Sequence, residues 1–369
     1  MKNLVEAVGG TGGHVYPAVA LAEYIQRHEP DVKVWIAGKH NGQEERIAQD
    51  YGIAFKAVSV VKRPARKLSL ETVSFVLNLA RAVVSGWKVL GELRPVAVVG
   101  FGGFVSFPTV FAARLRGIPV YLHEQNSLMG TVNRLMARFS KSVLLSFENT
   151  EGAPAGKSLF TGNPSRYEGR ELPDMETSRS RLGLYPGRKT LFVTGGSQGA
   201  RSLNNSVCGW VSKNRHREDL QLIHLTGRKN FDEVQQAYKE VLGDDAAIRV
   251  DVKDYLKEME LAYKAADLVL CRAGASTITE LTSLGVPAVF VPYPFATGNH
   301  QEINARGVVD AGAALMIRDS DLSAEKLALI IDDLIMDPEA LSAMSEKSRK
   351  LYRDGVAERM ANELKVHFQ

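Results

Sequence analysis

The feature that most constrains the fold is a local pattern that occurs in both halves of the 369-residue chain. A short run of Val, Ile and Leu leads into a glycine-rich turn and then into a helical pattern. Continuous apolar strands alternating with helices indicate parallel sheets covered on both faces. The sequence therefore predicts an α/β protein of doubly wound parallel sheets. The predicted strands are Leu4–Val8, Val32–Ile36, Val96–Val99, Val120–Leu122, Val143–Leu145, Thr190–Val193, Leu220–Leu225, Ala247–Val250, Leu268–Cys271 and Ala288–Val291.

The chain is long enough for two domains, and its middle contains a candidate linker. Domains usually contain about 100–200 residues, so the length favours two of similar size. Glu151–Asp174 is rich in Pro and Gly and poor in apolar residues, which is typical of a linker. In open parallel sheets, ligands bind outside the carboxyl ends of the strands. We therefore expect two domains that face each other across a ligand-binding cleft.

The charge of the chain is unevenly distributed. Its 46 Lys and Arg against 42 Asp and Glu give a net charge of +4, too small to indicate a nucleic-acid-binding protein. Residues 1–165 carry 19 basic and 12 acidic side chains, whereas residues 166–369 carry 27 and 30. This imbalance indicates that the basic first half of the chain faces an anionic surface of a partner. Two uncharged stretches, Pro95–Ala113 and Ser283–Gln301, contain too many Gly or Pro residues for membrane-spanning helices.

The glycine loops exclude two common nucleotide sites. The segment Gly10-Thr11-Gly12-Gly13-His14 lacks the third glycine of the dinucleotide fingerprint, and no acidic residue ends the second predicted strand. The phosphate-loop sequence of nucleotide hydrolases is also absent from the chain. Glycines at strand ends still let the backbone approach a phosphate or sugar, although tight turns alone would explain them equally well.

Several polar residues next to these loops are candidates for chemistry. His14 at a predicted helix start is either a general base or a histidine bonded to the backbone. The polar and basic loop Gly195–Arg201 suits a diphosphate at a helix N-terminus. Glu280 either completes a capping box with Thr277 or accepts two ribose hydroxyls. His123–Asn126 and Asn299–Asn304 are polar runs that follow strands, where sheet proteins place their sites.

Seven segments in order resemble the MurG family, the bacterial N-acetylglucosaminyltransferases that convert lipid I to lipid II in peptidoglycan synthesis. The segments are Gly9–Ala18, Gly100–Pro108, His123–Asn126, Gly162–Arg166, Gly195–Arg201, Cys271–Glu280 and His300–Ala305. The resemblance implies the GT-B fold, in which two Rossmann-like domains face a deep cleft. We expect an acceptor- and membrane-binding domain over residues 1–162 and a UDP-GlcNAc-binding domain over residues 163–345. A C-terminal helix in residues 346–369 is expected to pack back on the first domain.

The resemblance also implies a role for individual residues. Leu256 and Met259 would line the uracil site, followed by Ala275, Ser276, Thr277 and Glu280, with Glu280 on the ribose. Ser197, Gln198 and Arg166 would lie by the diphosphate, and Gln301 and Asn304 would hold the sugar hydroxyls. Thr11, Gly12, Gly13, His14 and Asn126 would close the site from the N-terminal side.

The implied reaction is a single inverting displacement. The C4 hydroxyl of lipid-linked N-acetylmuramic acid attacks the anomeric carbon of UDP-GlcNAc and forms a β-1,4 bond. His14 is the candidate base, with Glu124 as the second choice. The resemblance implies no cofactor and no metal ion. The sequence departs from the family at Glu6 and Val8 in and after the first strand, and at Phe104 and Phe107. The last two affect details of acceptor contact.

A basic and apolar segment, Lys62–Leu90, would meet the membrane. Phe75, Leu79, Val83 and Trp87 are spaced by four residues and would share one helical face. Such a stripe usually faces the core, but a lipid-linked acceptor favours an interfacial patch on anionic headgroups. The residues expected to contact the acceptor or the membrane are Lys62, Arg63, Arg66, Lys67, Phe75, Leu79, Trp87 and Phe104.

The predicted partners are therefore UDP-GlcNAc, lipid I, an anionic cytoplasmic membrane surface to which the protein binds peripherally, and other cell-wall synthesis proteins; nucleic acid is not expected. Three alternatives stay open. The chain could be another GT-B UDP-sugar transferase, a UDP-GlcNAc 2-epimerase, or a non-catalytic nucleotide-sugar-binding scaffold at the membrane.

Overall fold

The computed structural model of the chain describes residues 1–10, 12–61 and 70–368, with side chains from residue 74 onward in the last range. Thr11, Lys62, Arg63, Arg66 and Lys67 lie outside the described residues. The chain divides into two compact units. The N-terminal unit comprises Met1–Arg166 and Asp354–Gln369, and the C-terminal unit comprises Tyr167–Arg353.

The N-terminal unit is a seven-stranded parallel sheet covered by helices. Its strands are β1 (Lys2–Ala7), β2 (Val32–Lys39), β3 (Ala54–Val58), β4 (Ala97–Gly100), β5 (Val120–Glu124), β6 (Ser142–Leu145) and β7 (Ser158–Phe160). Its helices are α1 (Gly12–His28), α2 (Gln43–Asp50), α3 (Leu70–Leu93), α4 (Phe107–Leu115), α5 (Thr131–Met136) and the C-terminal α14 (Val356–Leu364). The strand order is β3-β2-β1-β4-β5-β6-β7.

The C-terminal unit is a six-stranded parallel sheet with the order β10-β9-β8-β11-β12-β13. Its strands are β8 (Lys189–Thr194), β9 (Leu220–Leu225), β10 (Arg249–Lys253), β11 (Leu268–Cys271), β12 (Ala288–Phe290) and β13 (Ala314–Met316). Its helices are α6 (Met175–Arg181), α7 (Arg201–Lys213), α8 (Phe231–Leu242), α9 (Met259–Ala265), α10 (Ala275–Leu284), α11 (His300–Asp310), α12 (Ala324–Leu334) and α13 (Pro338–Leu351).

These two sheets confirm the predicted fold class, and each predicted strand is present. The sequence did not reveal β3, β7 and β13. All three are edge strands, and most residues of β3 are half-buried. Edge strands lack the continuous apolar run that marks a strand buried on both faces. β7 lies inside the predicted linker and pairs with β6, so the linker prediction was wrong for those residues.

The C-terminal helix α14 belongs to the N-terminal unit. Arg359 on α14 donates two hydrogen bonds to the Thr161 carbonyl, at 3.0 and 2.9 Å. His367, just beyond α14, lies 2.9 Å from the hydroxyl of Tyr121 on β5. Val356, Ala357, Met360, Ala361 and Leu364 bury the apolar face of the helix. None of the helices in the described parts of the chain is long and apolar enough to cross a membrane.

Glu6 is a buried carboxylic acid in the middle of the N-terminal sheet. It lies on β1 between Ile36 of β2 and Val99 of β4, and its side chain is fully buried. Neither carboxyl oxygen has a hydrogen-bond partner among the described residues. Burial raises the pKa of Glu6 well above its ordinary value of 4.5. The folded protein therefore keeps a proton that the unfolded chain releases.

We predict that Glu6→Leu raises the unfolding temperature at pH 8 and that the gain shrinks toward pH 4.5. Where the native pKa exceeds the unfolded one, stability falls as pH rises, by about 1.4 kcal/mol per pH unit. Removing an unpaired buried polar group also recovers roughly 1–3 kcal/mol, or several degrees in a chain of this size. Thermal unfolding between pH 4.5 and 8 measures both. Glu6→Gln is the control, since it stays polar without titrating. If the unfolding temperatures of the wild type and of the Gln variant change equally with pH, the raised pKa of Glu6 is refuted.

Candidate functional site

The glycine loops lie where the strand order of each sheet reverses. In the N-terminal unit this point is between β1 and β4, and in the C-terminal unit it is between β8 and β11. The loops that follow these four strands belong to four of the seven segments singled out from the sequence: Gly9–Ala18, Gly100–Pro108, Gly195–Arg201 and Cys271–Glu280. Because helices leave such a point on opposite sides of the sheet, it opens a crevice at the carboxyl ends of the strands. Each unit therefore has its own candidate site, and we describe the two separately.

In the N-terminal unit, the loops after β1 and β4 are in direct backbone contact. A methyl group added at Gly9 would lie 2.8 Å from the Cβ of Val105, and one added at Gly103 would lie 3.1 Å from the carbonyl oxygen of Gly9. Gly102 and Gly103 also have positive φ angles of 82° and 75°. Side chains would separate the loops, so the glycines are required by the packing as well as by the turns.

His14 lies in the first turn of α1 and faces the loop after β4. A Cβ added at Gly102 would lie 3.5 Å from Cδ2 and 3.6 Å from Nε2 of the His14 ring. The same position would lie 3.3 Å from Nδ2 of Asn133 on α5. The imidazole is half-buried. It is therefore held at the carboxyl edge of the sheet in a place that a reacting hydroxyl could reach.

Glu124, the last residue of β5, is buried and accepts four hydrogen bonds. Its Oε1 accepts from the backbone and side-chain nitrogens of Asn126, at 3.0 and 3.2 Å. Its Oε2 accepts from the Gly130 backbone and from Nδ2 of Asn133, both at 2.9 Å. A carboxylate with about four acceptor positions is thereby fully used. These contacts hold the loop that carries Asn126.

The neighbours of Glu124 form a second set of buried contacts. Nε2 of Gln125 donates to the Phe101 carbonyl at 2.8 Å and lies 3.0 Å from Nδ1 of His123, which ties the loop after β4 to the end of β5. Burial lowers the pKa of His123 to about 3, against the opposing effect of a hydrogen bond to the Gly162 backbone. His123 is therefore neutral at physiological pH and serves the loop geometry.

Arg166 is placed in the N-terminal unit, four residues beyond Gly162. Its guanidinium lies 4.0 Å from the ring centroid of Tyr16, two residues after His14 on α1, and it is 6% exposed. The aromatic face holds the cation beside the first turn of α1. Tyr16 was not singled out from the sequence. Its role becomes visible only because the fold brings residues 16 and 166 together.

In the C-terminal unit, the loops after β8 and β9 are also in backbone contact. A Cβ added at Gly227 would lie 2.5 Å from the nitrogen of Gly199, and one added at Gly195 would lie 2.5 Å from the nitrogen of Ala200. Ser197 and Gln198 are exposed on the outer side of this loop. α7 begins directly afterwards, so its free N–H groups and positive dipole end are available to an anion.

Glu280 is buried within α10, and the capping-box interpretation of it is wrong. α10 begins at Ala275 with Gly274 as the N-cap residue, so Thr277 lies inside the helix and not at its cap. The hydroxyl of Tyr263 on α9 donates to Oε2 of Glu280 at 2.9 Å. Glu280 is 7% exposed, and Tyr263 is 2% exposed. The carboxylate is therefore positioned by tertiary structure and not by its own helix start.

The residues predicted to line the uracil site lie before and at the start of α9 and in the first turn of α10, the helix that carries Glu280. Leu256 and Met259 lie before and at the start of α9 and pack partly on the apolar core around Tyr263. Ala275 is buried, and Ser276 and Thr277 are half-buried in the first turn of α10. One end of the unit thus presents apolar side chains, helix N–H groups and a carboxylate.

Gln301 and Asn304 lie on α11, in its first turn and one turn further. Oε1 of Gln301 accepts a hydrogen bond from the Tyr293 backbone at 2.9 Å, which leaves the Nε2 donors directed elsewhere. Asn304 is fully buried. Asn299 precedes α11 in a left-handed conformation, with φ of 55°.

Arg272, which the sequence did not single out as a separate residue, connects three parts of this site. It donates to the carbonyls of Val291 and Pro292, at 3.1 and 3.2 Å, just before Tyr293. It also donates to Asp319, at 2.5 Å, and to Oγ of Ser202, at 3.0 Å. Ser202 lies in the first turn of α7. Arg272 thus fixes the start of α7, which follows the Gly195–Arg201 loop, relative to the segment that contacts Gln301.

Comparisons with known proteins agree on one family. The model of the glycosyltransferase family 28 N-terminal domain matches residues 4–145, and the model of the family 28 C-terminal domain matches residues 190–360. The chain is 41% identical over 353 residues to a relative from Halothermothrix orenii, with 94% of each chain covered. That relative is described as a UDP-N-acetylglucosamine–N-acetylmuramyl-(pentapeptide) pyrophosphoryl-undecaprenol N-acetylglucosamine transferase.

Solved structures give the same result. The crystal structure of Acinetobacter baumannii MurG is similar with a TM-score of 0.74 and 30% identity, and 99% of each chain is covered. A UDP-GlcNAc 2-epimerase from Neisseria meningitidis, bound to UDP-GlcNAc, has a TM-score of 0.68 at 16% identity over 99% of each chain. The second likeness is one of fold alone.

We predict that Arg272→Lys loosens the segment around residues 293–301. A lysine ammonium cannot match the four acceptors that the planar guanidinium reaches. Amide hydrogen exchange in this segment should become about tenfold faster, as expected for a local loss of roughly 1.4 kcal/mol. Arg228→Lys, at an exposed position, is the matched control. Unchanged exchange, or an equal increase throughout the C-terminal unit, would contradict a local connecting role.

Proposed function

The chain belongs to glycosyltransferase family 28, and from this premise we propose that it makes lipid II. It transfers GlcNAc from UDP-GlcNAc to the C4 hydroxyl of N-acetylmuramic acid in undecaprenyl-pyrophosphoryl-N-acetylmuramyl-pentapeptide, with inversion. The observation that carries the proposal is the pair of switch-point sites. One presents a histidine and an arginine, and the other presents a carboxylate and a helix N-terminus.

The C-terminal unit takes the nucleotide-sugar donor in this proposal. Leu256 and Met259 contact the uracil, and Glu280 accepts the ribose hydroxyls next to Ala275, Ser276 and Thr277. Ser197 and Gln198, with the N-terminus of α7, hold the diphosphate. Gln301 and Asn304 hold the sugar hydroxyls. The buried, hydrogen-bonded state of Glu280 and the fixed Gln301 amide support these roles, because oriented polar groups discriminate between ligands.

In this proposal the N-terminal unit supplies the proton acceptor and binds the lipid-linked substrate. The hydroxyl oxygen of the acceptor forms the bond to the anomeric carbon as the bond from that carbon to the diphosphate oxygen breaks. UDP leaves with the electron pair, and the hydroxyl proton passes to the base. Arg166 and the backbone N–H groups at Gly12 and Gly13 stabilise the negative charge of the diphosphate groups, and Asn126 closes the site. Thr11 is proposed beside them from the sequence alone.

The contacts favour His14 over Glu124 as the base. Glu124 already accepts four hydrogen bonds, two of them from backbone N–H groups, so its oxygens are committed to the loop. His14 is half-buried at the sheet edge, and a neutral imidazole is a common general base. We therefore assign Glu124 to holding Asn126 and His14 to proton transfer.

A row of aromatic rings supports a lipid path on the acceptor side. The rings of Phe75 and Phe104 are 5.8 Å apart, those of Phe104 and Phe107 6.2 Å, and those of Phe107 and Phe111 5.5 Å. The row runs from α3 through the glycine loop after β4 to α4. Phe104 and Phe107 are two of the four positions at which the sequence departs from the family pattern, so these departures supply two of the four rings.

The membrane face proposed here centres on α3 but differs in detail from the predicted stripe. Phe75, Leu79 and Val83 are half-buried, since α3 packs closely on α4. Among the side chains of α3 that the structure describes, the exposed large apolar residues are Val76 (57%), Leu77 (56%), Val84 (53%) and Trp87 (39%). The guanidinium of Arg116 lies 4.3 Å from the Trp87 ring, and Arg81 and Lys88 are exposed on the same helix.

An apolar surface flanked by cations suits an anionic bilayer. Each cation near such a surface contributes about 1 kcal/mol, and the apolar groups add the free energy of leaving water. We propose that the protein binds peripherally to the cytoplasmic face of the cell membrane. Lys62, Arg63, Arg66 and Lys67 would add to this surface by charge. Other cell-wall synthesis proteins are proposed partners on the basis of the reaction.

The decisive experiment combines radiolabelled UDP-GlcNAc with a lipid I analogue. Transfer of label to the lipid is the expected result. Conversion of UDP-GlcNAc to its 2-epimer without acceptor would identify an epimerase. Transfer to a soluble acceptor but not to the lipid would identify another UDP-sugar transferase. Tight UDP binding without transfer would leave a nucleotide-sugar-binding scaffold.

We predict that His14→Ala lowers kcat by about 10²- to 10⁴-fold, the usual contribution of a general base. The affinity for UDP, measured by calorimetry, should change less than about threefold, because the base does not contribute to ground-state donor binding. Glu124→Gln serves as the comparison. Wild-type turnover in His14→Ala, with loss of turnover in Glu124→Gln at unchanged loop structure, would transfer the base role to Glu124.

We predict that Leu77→Ser combined with Val84→Ser weakens binding to anionic phospholipid vesicles by roughly 10- to 30-fold. Each change removes about 1 kcal/mol of favourable apolar burial from a partly inserted side chain. Vesicle co-sedimentation measures the loss. Leu329→Ser is the matched control, since Leu329 is 73% exposed on α12 of the C-terminal unit. Equal binding by all three proteins would exclude this face of α3 as the membrane contact.

A further inference from the structure

The hydrogen bond between Tyr263 and Glu280 has a consequence for ligand recognition. The phenol donates to Oε2 at 2.9 Å from α9, whereas Glu280 lies on α10, 17 residues later. Both side chains are more than nine-tenths buried. A buried Tyr hydroxyl needs a partner, and a buried carboxylate needs donors. The two groups therefore fix each other, and the contact sets the plane of the carboxylate.

The tyrosine ring is itself held from two sides. The ring of Phe192 on β8 lies 5.5 Å away at an interplanar angle of 71°, and the ring of Tyr167 lies 6.3 Å away at 75°. Both are edge-to-face arrangements, which resist rotation of the ring. Nε of Arg179 donates to the carbonyl of Ala265 at the end of α9, at 3.0 Å. The phenol oxygen is therefore presented from a rigid support.

The α9 helix links two subsites of the proposed donor site. Met259 begins the helix, and Tyr263 lies one turn later on the same face. If a nucleoside packs against Met259, the same helix also positions Glu280, the carboxylate proposed to bind the sugar of that nucleoside. A carboxylate has about four acceptor positions, so one carboxylate can accept hydrogen bonds from several hydroxyls at once, a phenol among them.

We propose that Tyr263 is a positioning residue that makes the site selective for ribonucleotides over deoxyribonucleotides. Its phenol holds Glu280 in the orientation that accepts the 2′- and 3′-hydroxyls together. The inference rests on the proposed function, since it assumes that a uridine diphosphate occupies the C-terminal unit. It goes beyond that function by naming a residue that touches no ligand and yet controls which sugar is accepted.

The test compares the affinity of UDP with those of 2′-deoxy-UDP and 3′-deoxy-UDP, measured by calorimetry on the full chain. Tyr263→Phe removes the hydroxyl and keeps the ring, so the packing against Phe192 is retained. We expect UDP binding to weaken about tenfold and binding of each deoxy ligand to weaken less than threefold. The advantage of UDP over the deoxy ligands should therefore shrink. In a Glu280→Ala background, Tyr263→Phe should have no further effect on UDP affinity.

Tyr185→Phe is the matched control, because Tyr185 is 48% exposed and packs against Arg188 and Arg249 away from α9. Its affinities should equal those of the wild type. An equal loss for all three ligands in Tyr263→Phe would indicate a merely structural role and overturn the inference. Unchanged UDP affinity would also overturn it. A wild-type chain that binds UDP but transfers no sugar leaves this inference standing while removing the proposed reaction.

Discussion

Close contact between backbones at the carboxyl ends of the strands is the constraint on which both sites depend. Gly9 meets Gly103 in the N-terminal unit, and Gly199 meets Gly227 in the C-terminal unit. A side chain at these points would separate the loops by more than the packing allows. The contacts lie at or beside the points where the strand order reverses, which is where open parallel sheets bind their ligands. The helix N-termini that follow are thereby brought to the place where an anion would bind.

The polar side chains around these loops are positioned by other buried polar groups. Glu124 is held by four donors, Glu280 by a tyrosine hydroxyl, and Gln301 by a backbone amide. Arg272 joins the start of α7 to the segment before α11. Each of these contacts satisfies a group that would otherwise be costly to bury. The same hydrogen bonds that stabilise the loops therefore orient the groups proposed to bind the substrates.

The parts of the site that sequence reasoning found are those encoded locally. The glycine loops could be located because a strand, a turn and a helix are adjacent in the chain. The partners of the candidate residues could not, since Tyr263 and Glu280 are 17 residues apart and Arg272 and Asp319 are 47 apart. For α3, the four-residue spacing gave the helix, but packing on α4 decided that Val76, Leu77 and Val84, which lie outside the predicted stripe, are exposed together with Trp87.

By itself, the sequence determined two parallel α/β sheets, the positions of most of their buried strands along the chain and the family to which the chain belongs. Continuous apolar runs and glycine turns are short-range signals, because they arise from burial on both faces of a sheet and from backbone conformation. The tertiary structure alone decided that Glu6 is buried with no hydrogen-bond partner in the described part of the chain, that Arg166 packs on Tyr16, and that Glu280 is held by Tyr263. These outcomes depend on residues distant in the chain, whose proximity is fixed only when the helices pack on the sheets.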